Sequence, residues 1–257
     1  MDNDTLEKKI KEANRAVYNN KSVEEYNRNE SIFNPARQRA VRKVFQAAVD
    51  HRKGKNDNFL DVGTGTGHIL PIANEFYENI FACDISENML IQIQDNFPFC
   101  SFFASDAENL PVEDDSMNFV SCYAMLHHLL KHDKVFNECY RVLKPGGILY
   151  TDHDPNYFFN RFYHIFYRLK HKNKPGFGSD LEELAEYHNA YSSGINPEEL
   201  KRILKEIGFS KVKITYRMTD KTNWTGIKKI AVLLLKLTVA VIPVKIFFTH
   251  FSIVAEK

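Results

Sequence analysis

Cysteine is scarce in this chain: there are four among 257 residues, at positions 83, 100, 122 and 139. None pairs as C-x-x-C, which excludes a zinc ribbon or a thioredoxin-like dithiol and gives no disulfide framework. Cys83, Cys100 and Cys122 fall inside apolar, strand-like runs, where cysteine behaves as a small buried hydrophobe. Charge of one sign is lacking too. The 34 lysines and arginines face 33 acids, a formal net charge of +1, so no global field draws nucleic acid. No run of about 20 apolar residues is free of charge, which argues against a membrane-spanning helix. Met1 to Arg15 is polar and charged and lacks the apolar centre of a secretory leader. A reducing cytoplasm is the expected compartment. Repeats and low-complexity tracts are absent as well. What remains, 44% hydrophobic and 26% charged residues, suits one α/β domain with a full core.

Strand-like and helix-like runs alternate over 59–62, 67–77, 79–84, 86–96, 99–104, 117–123, 132–143 and 147–152. Alternation at this spacing predicts right-handed βαβ units and a parallel sheet. Upstream, 5–20 and 34–53 carry helical apolar spacing, with Asn34-Pro35 as a start signal; Val23 to Phe33 reads as irregular. Downstream, 155–192 is rich in aromatic and basic residues and then turns acidic. Asn196-Pro197 opens a further helix that Gly208 closes, and 211–218 and 251–257 read as strands.

The stretch Phe59-Leu60-Asp61-Val62-Gly63-Thr64-Gly65-Thr66-Gly67 describes a buried strand entering a turn without side chains. Glycines there can take positive φ and let the backbone approach a ligand. Residues 68–76 read as a helix whose first N–H groups face that ligand. A dinucleotide turn needs G-x-G-x-x-G, but His68 occupies the third glycine position. Asp61 would also repel a pyrophosphate, whereas it suits a ligand carrying an amino group and a sulfonium. In an open α/β sheet the ligand lies across the carboxyl ends of the strands. Strand 79–84 ends there in Asp84, whose carboxylate can accept from two ribose hydroxyls. An aspartate at a strand end is also a common turn or capping residue.

An acid followed by G-x-G-x-G resembles the first motif of the class I S-adenosylmethionine-dependent methyltransferases, in their small-molecule, UbiE-like (methyltransferase-11-type) branch. Glu138-x-x-Arg141-Val142-Leu143-Lys144-Pro145-Gly146-Gly147 resembles a second motif of that branch. The resemblance covers residues 57–153 strongly and the last strand pair moderately. It implies a Rossmann-like α/β fold: a seven-stranded, mostly parallel sheet with helices on both faces and an antiparallel C-terminal hairpin. It also implies one domain over 1–257, divided into an N-terminal helical cap (1–56), a cofactor-binding core (57–153), an acceptor-side insertion (155–192) and an apolar insertion (219–246). The implied cofactor is S-adenosyl-L-methionine, leaving as S-adenosyl-L-homocysteine. It would be held by Asp61, Gly63, Thr64, Gly65 and Gly67, by Asp84 at the ribose, by Ile85 and Met89 on the adenine faces, and by Asp106 and Ala107 at the adenine amine. Cys122 and Tyr123 would form the floor beneath the methionine half.

Methyl transfer is an in-line displacement that depends chiefly on alignment, and a base is needed only where the acceptor must lose a proton. His127 and His128 follow the fourth strand and His153 ends the fifth between Asp152 and Asp154, so these three are the catalytic candidates. Packing at a helix start and turn chemistry before Pro155 explain the same residues without catalysis. No metal-ligand set is read from the sequence. Asp154-Pro155-Asn156-Tyr157 departs from the D/N-P-P-Y/F motif of nucleic-acid amino-methyltransferases at its third position and follows the wrong strand, so no nucleic-acid partner is expected. The aromatic residues of 155–192, with Tyr18, Tyr26, Tyr187, His188 and Tyr191, point to a small acceptor that is lipid-like or aromatic. O-methylation is the first expectation, ahead of N- or C-methylation. The apolar stretch 226–248, broken by Lys236, Pro243 and Lys245, reads as a peripheral membrane contact on the cytoplasmic face, a cover for the acceptor pocket, or a homodimer interface. Two other functions compete: a non-catalytic S-adenosylmethionine-binding partner protein and an NAD(P)-dependent oxidoreductase.

Overall fold

The computed structural model describes residues 2–29, 35–50, 58–161, 181–190, 194–217 and 245–257. Seven strands form one sheet: β1 (Asn58–Val62), β2 (Asn79–Asp84), β3 (Cys100–Ala104), β4 (Met117–Tyr123), β5 (Leu143–Pro155), β6 (Ser210–Arg217) and β7 (His250–Glu256). Their order is β3-β2-β1-β4-β5-β7-β6. The first five pair in parallel, while β7 runs antiparallel between β5 and β6. This is the seven-stranded, Rossmann-like α/β sheet with an antiparallel C-terminal pair that the motif order predicts. The order reverses direction between β1 and β4, which sets a ligand crevice above the end of β1.

Six helices matter to that crevice: α1 (Asn3–Asn20), α2 (Val23–Asn29), α3 (Pro35–Asp50), α4 (Leu70–Ala73), α5 (Glu87–Ile93) and α6 (Asp133–Val142). Local chemistry sets several of their ends. Asp2 caps α1 by accepting from the Thr5 N–H, and the Ser86 hydroxyl caps α5 by accepting from the Met89 N–H. Two elements differ from expectation. Residues 23–29, expected to be irregular, are helical. The helix expected over 68–76 contracts to α4, one turn flanked by i→i+3 bonds such as Ile72 N–H to Ile69 O and Glu75 N–H to Ile72 O. Pro71 lies in its first turn and has no N–H to donate.

The pleat divides the core. Phe59 and Phe119 point to one face and pack with Phe45 of α3, Tyr77 and Tyr150. Leu60, Val62, Val120 and Cys122 point to the other, against Phe136, Cys139 and Val142 of α6. The rings of Phe45 and Phe119 stack at 4.8 Å, and Phe45 is fully buried. Arg141 ties one loop to α6. Its guanidinium donates to Leu110 O, Val112 O and Asp114 and pairs with Glu138, fixing the loop after β3 to α6. The expected apolar insertion 219–246 lies almost wholly outside the described residues, as do 162–180 and Tyr191.

Phe45→Ala should cost about 3–5 kcal/mol, the usual cost of emptying a large aromatic site in a core. Denaturant unfolding should show a lower midpoint at unchanged slope; a shift below about 1 kcal/mol would mean that α3 is not part of the core.

Candidate functional site

The site begins at the turn after β1. Gly63, Gly65 and Gly67 all have positive φ, between 52° and 73°. A Cβ on Gly63 would lie 2.3 Å from Met125 Cγ, and one on Gly67 would lie 2.6 Å from the Phe97 ring. Both positions are closed to any side chain. Gly65 is different: its Cβ direction opens toward the Tyr26 hydroxyl, 3.8 Å away across the crevice mouth. The turn is tied to the end of β2 by backbone. Gly63 N–H and Thr64 N–H both donate to Cys83 O, at 2.9 and 3.0 Å. Asp84 completes the tie, its two oxygens accepting from Gly65 N–H and Ser86 N–H, each at 2.9 Å. Burial raises the Asp84 carboxyl above its ordinary range, opposed by those backbone donors.

Above this turn lies a cleft open to solvent. Its walls include Gly63, Thr64, Gly65, Asp84, Ile85, Met89, Asp106, Ala107 and Tyr123, nearly all the residues expected to hold the cofactor. Three expected residues stand elsewhere, the first being Gly67, which closes the turn against Phe97 and Leu70 rather than lining the cleft. Cys122 points away from the cleft, its Sγ 3.9 Å from Cys139 Sγ in the core, because neighbours along a strand face opposite ways. Asp61 lies beneath the turn, 2% exposed, where the Ser121 hydroxyl donates to it from the register partner on β4. Burial pushes the Asp61 carboxyl up to about 7, with the Ser121 hydroxyl pulling the other way and the Asp84 charge adding to the rise. A carboxylate held this far from water favours a cation nearby. Thr66, not singled out in the sequence, also lines the cleft; its buried hydroxyl has no hydrogen-bond partner among the described residues.

Helix α1 closes one side. Lys11 donates to Asp106 at 2.8 Å and to Glu108 at 2.7 Å, while Glu108 N–H takes the other Asp106 oxygen at 3.0 Å. Both oxygens of the acid expected at the adenine amine are therefore engaged. Asn14 donates to His128 O, and the Ser86 hydroxyl donates to Asn19. Lys11 and Asn14 were invisible as site residues, because they lie far from the motifs in sequence and only packing brings them to the cleft.

The three histidine candidates separate. His128 lines the cleft; its Nδ1 donates to Ala185 O at 2.7 Å, and burial lowers its pKa to about 4. His127 sits behind it with ring centroids 4.0 Å apart, and its Nδ1 meets Asp154 Oδ1 at 2.9 Å. His127 Nε2 lies 3.6 Å from Glu186, whose other oxygen accepts from the Tyr18 hydroxyl at 2.8 Å. His153 occupies a bulge of β5 with φ 72°, its ring stacked between Tyr123 and His250. Its flanking acids do not serve its ring: Asp152 accepts from the His153 backbone N–H and from Tyr150, and Asp154 serves His127. The bulge accounts for this, since it turns the three side chains in different directions. His188, expected in the acceptor pocket, packs on His132 instead, with ring centroids 5.4 Å apart.

Residues 60–151 match the family described as a methyltransferase domain. Over 125 residues the chain is 32% identical to a demethylmenaquinone methyltransferase of Streptomyces avermitilis, covering 49% of this chain and 53% of that one. Over 119 residues it is 33% identical to a malonyl-(acyl-carrier protein) O-methyltransferase of Methylococcus capsulatus, covering 44% and 43%. The chain thus spans about half the length of these curated relatives. Among solved structures, a SAM-dependent methyltransferase from Archaeoglobus fulgidus superposes with a TM-score of 0.54 at 20% identity, covering 86% of this chain and 94% of that one. A Haemonchus contortus phosphoethanolamine N-methyltransferase in complex with S-adenosyl-L-methionine gives 0.52 at 18% identity, covering 89% and 58%. These two likenesses establish the fold.

If Asp61 faces the cationic end of S-adenosylmethionine, affinity should follow its ionisation. A carboxyl with a pKa of about 7 is mostly neutral below that pH, so the dissociation constant should fall as pH rises from 5.5 to 7.5. The slope should approach tenfold per unit at the acid end, where each unit is worth about 1.4 kcal/mol. Asp61→Asn should bind more weakly and lose the slope; calorimetry giving a flat profile for the unaltered protein would place the cation elsewhere.

Proposed function

We propose, taking residues 60–151 as the methyltransferase domain they match, that the chain binds S-adenosylmethionine in the cleft above Gly63–Gly67 and methylates a small amphiphilic acceptor. The observation that carries this reading is the cleft itself. It joins a glycine turn with no room for side chains at two of its three glycines, a buried carboxylate beneath that turn, and a carboxylate at the end of β2. The residues suit the cofactor. Asp84 would hold the ribose, Ile85 and Met89 would offer apolar surface to adenine, Asp61 would supply the counter-charge, and the buried Thr66 hydroxyl would gain a polar partner. When bound, the cofactor supplies a methyl carbon on a sulfonium sulfur, open to in-line displacement.

The chain's own residues then have three tasks. Helices α1 and α2 cover the cleft through Lys11, Asn14, Tyr18 and Tyr26, which keeps water from the reacting centre. Tyr18, Met125 and Leu129 give the acceptor side an apolar wall, consistent with a lipid-like or aromatic substrate. His127, His128, Glu186 and Tyr18 gather the polar chemistry at that end, and an acceptor that must lose a proton would meet it there. An oxygen acceptor fits this cluster best. The O-methyltransferase and demethylmenaquinone relatives point to acceptors of acyl or quinone type, which are also amphiphilic. Among the described residues no helix is long and apolar enough to cross a membrane. Peripheral contact or self-association through 226–248 remains part of the proposal.

The test is transfer of label from methyl-labelled S-adenosylmethionine to a panel of hydroxylated quinol, phenol and acyl acceptors, with and without anionic liposomes. Label in an organic-extractable product is expected. Cofactor binding without transfer to any acceptor would favour a non-catalytic partner protein. Asp84→Ala should weaken cofactor binding by about 1–3 kcal/mol, the scale of lost charge-assisted hydrogen bonds. Unchanged affinity would mean that the ribose is held by other residues.

A further inference from the structure

We propose that His127, His128 and Glu186 form a binding site for a divalent transition-metal cation at the acceptor end of the cleft. One ligand atom from each of the three lies within 4.8 Å of the others. The side chains come from two elements. His127 and His128 belong to the single turn Leu126–His128 after β4, and Glu186 lies between the short helices Leu181–Ala185 and Tyr187–Ala190.

The orientation of each ligand is set from behind. A carbonyl oxygen can only accept, so the 2.7 Å contact between His128 Nδ1 and Ala185 O places the proton on Nδ1 and leaves Nε2 as the coordinating atom. His127 Nδ1 meets the buried Asp154 carboxylate at 2.9 Å, and the same oxygen also accepts the His127 backbone N–H at 3.1 Å. This carboxylate–histidine pairing fixes the ring and directs Nε2 outward, as it does behind metal-bound histidines generally. Glu186 Oε2 lies 3.6 Å from His127 Nε2, near the spacing of two ligands on one tetrahedral cation about 2 Å from each. Its other oxygen is held by the Tyr18 hydroxyl at 2.8 Å. Two imidazoles and a carboxylate, each braced by a second group, suit zinc, iron(II) or cobalt(II) rather than magnesium, which prefers oxygen and water.

Three protein ligands leave coordination positions open, and one of the three, His128, lines the cleft beside Tyr18. An acceptor with two neighbouring oxygen donors, such as a catechol-type diol or an α-hydroxy carboxylate, can take them. On a cation, the hydroxyl O–H breaks with its electron pair staying on oxygen, and the proton leaves to solvent as the acceptor binds, before transfer. This role for the cation rests on the methyltransferase reading; the ligand set does not.

The test uses the full chain, tag-free and freed of metal with chelator, titrated with Co²⁺ alone and followed by its visible d–d absorption. One Co²⁺ per chain is expected, displaced by Zn²⁺ and untouched by excess Mg²⁺. Glu186→Gln and His127→Ala should each weaken binding more than tenfold, since even second-layer changes cost about 10–100-fold at metal sites. Because the Glu186 side chain is about a third exposed, Glu186→Gln should keep the fold and decides the matter if His127→Ala does not. No cobalt bands in the unaltered protein, or equal bands in the variants, would overturn the site. Turnover of a dioxygen acceptor that survives chelation would overturn the catalytic role alone. Metal binding with no turnover of any acceptor would leave the site standing and count against methyl transfer.

Discussion

The site depends on one constraint: the chain must pass from β1 across the head of β2 without side chains in its way. Gly63 and Gly67 are each blocked, by Met125 and by Phe97, so the turn can close only with glycine. Its backbone then settles on Cys83 O and Asp84, whose own position comes from the parallel register of β1 with β2. Asp61 beneath the turn is buried by this closure, and Asp84 beside it is half-buried on the cleft wall. Both carboxyls rise above their ordinary range for that reason. In the proposed reading, a sulfonium or ammonium group bound near Asp61 would offset part of the cost of that burial.

Sequence periodicity carried most of the fold. Seven strands fall within a few residues of their expected places, and the antiparallel pair lies at the C-terminal edge as the motif order implies. The departures have local causes. Pro71 removes an N–H where the expected helix 68–76 would need one, so one turn survives. Residues 23–29 become helical although their apolar pattern is weak; Tyr26 reaches the cleft and the Val23 N–H donates to Gln92 of α5.

The candidate site divides along the same line. Gly63, Gly65, Asp84 and Ala107 were legible as cleft residues because they sit at or just past strand ends, where position in sequence fixes position in space, and Met89 because α5 starts directly after β2. Cys122 misled because the two faces of a strand alternate, and residues 122 and 123 cannot share one. His153 misled because a bulge intervenes, which no pattern of residue types announced. Lys11, Asn14 and Glu186 gave no signal at all. Lys11 and Asn14 lie on α1 and Glu186 on the turn between two short helices, all far from the motifs, and they come together only once α1 and the segment around 181–190 have packed beside the turn after β4.

That division follows the chemistry of the domain. Cofactor contacts come from the sheet, whose geometry is shared and rigid, so a short motif encodes them. Acceptor contacts come from what is laid over the sheet. Here that cover is α1 and the 181–190 segment, joined through Tyr18 to Glu186 and through Ala13 and Val17 against Ala185. A substitution in this cover can change which acceptor is admitted while Asp61, Asp84 and the glycine turn stay as they are. In the proposed reading, substrate choice would depend on helix packing at Ala13, Val17 and Ala185 as much as on the polar groups at the cleft, because that packing sets how far Glu186 stands from His127.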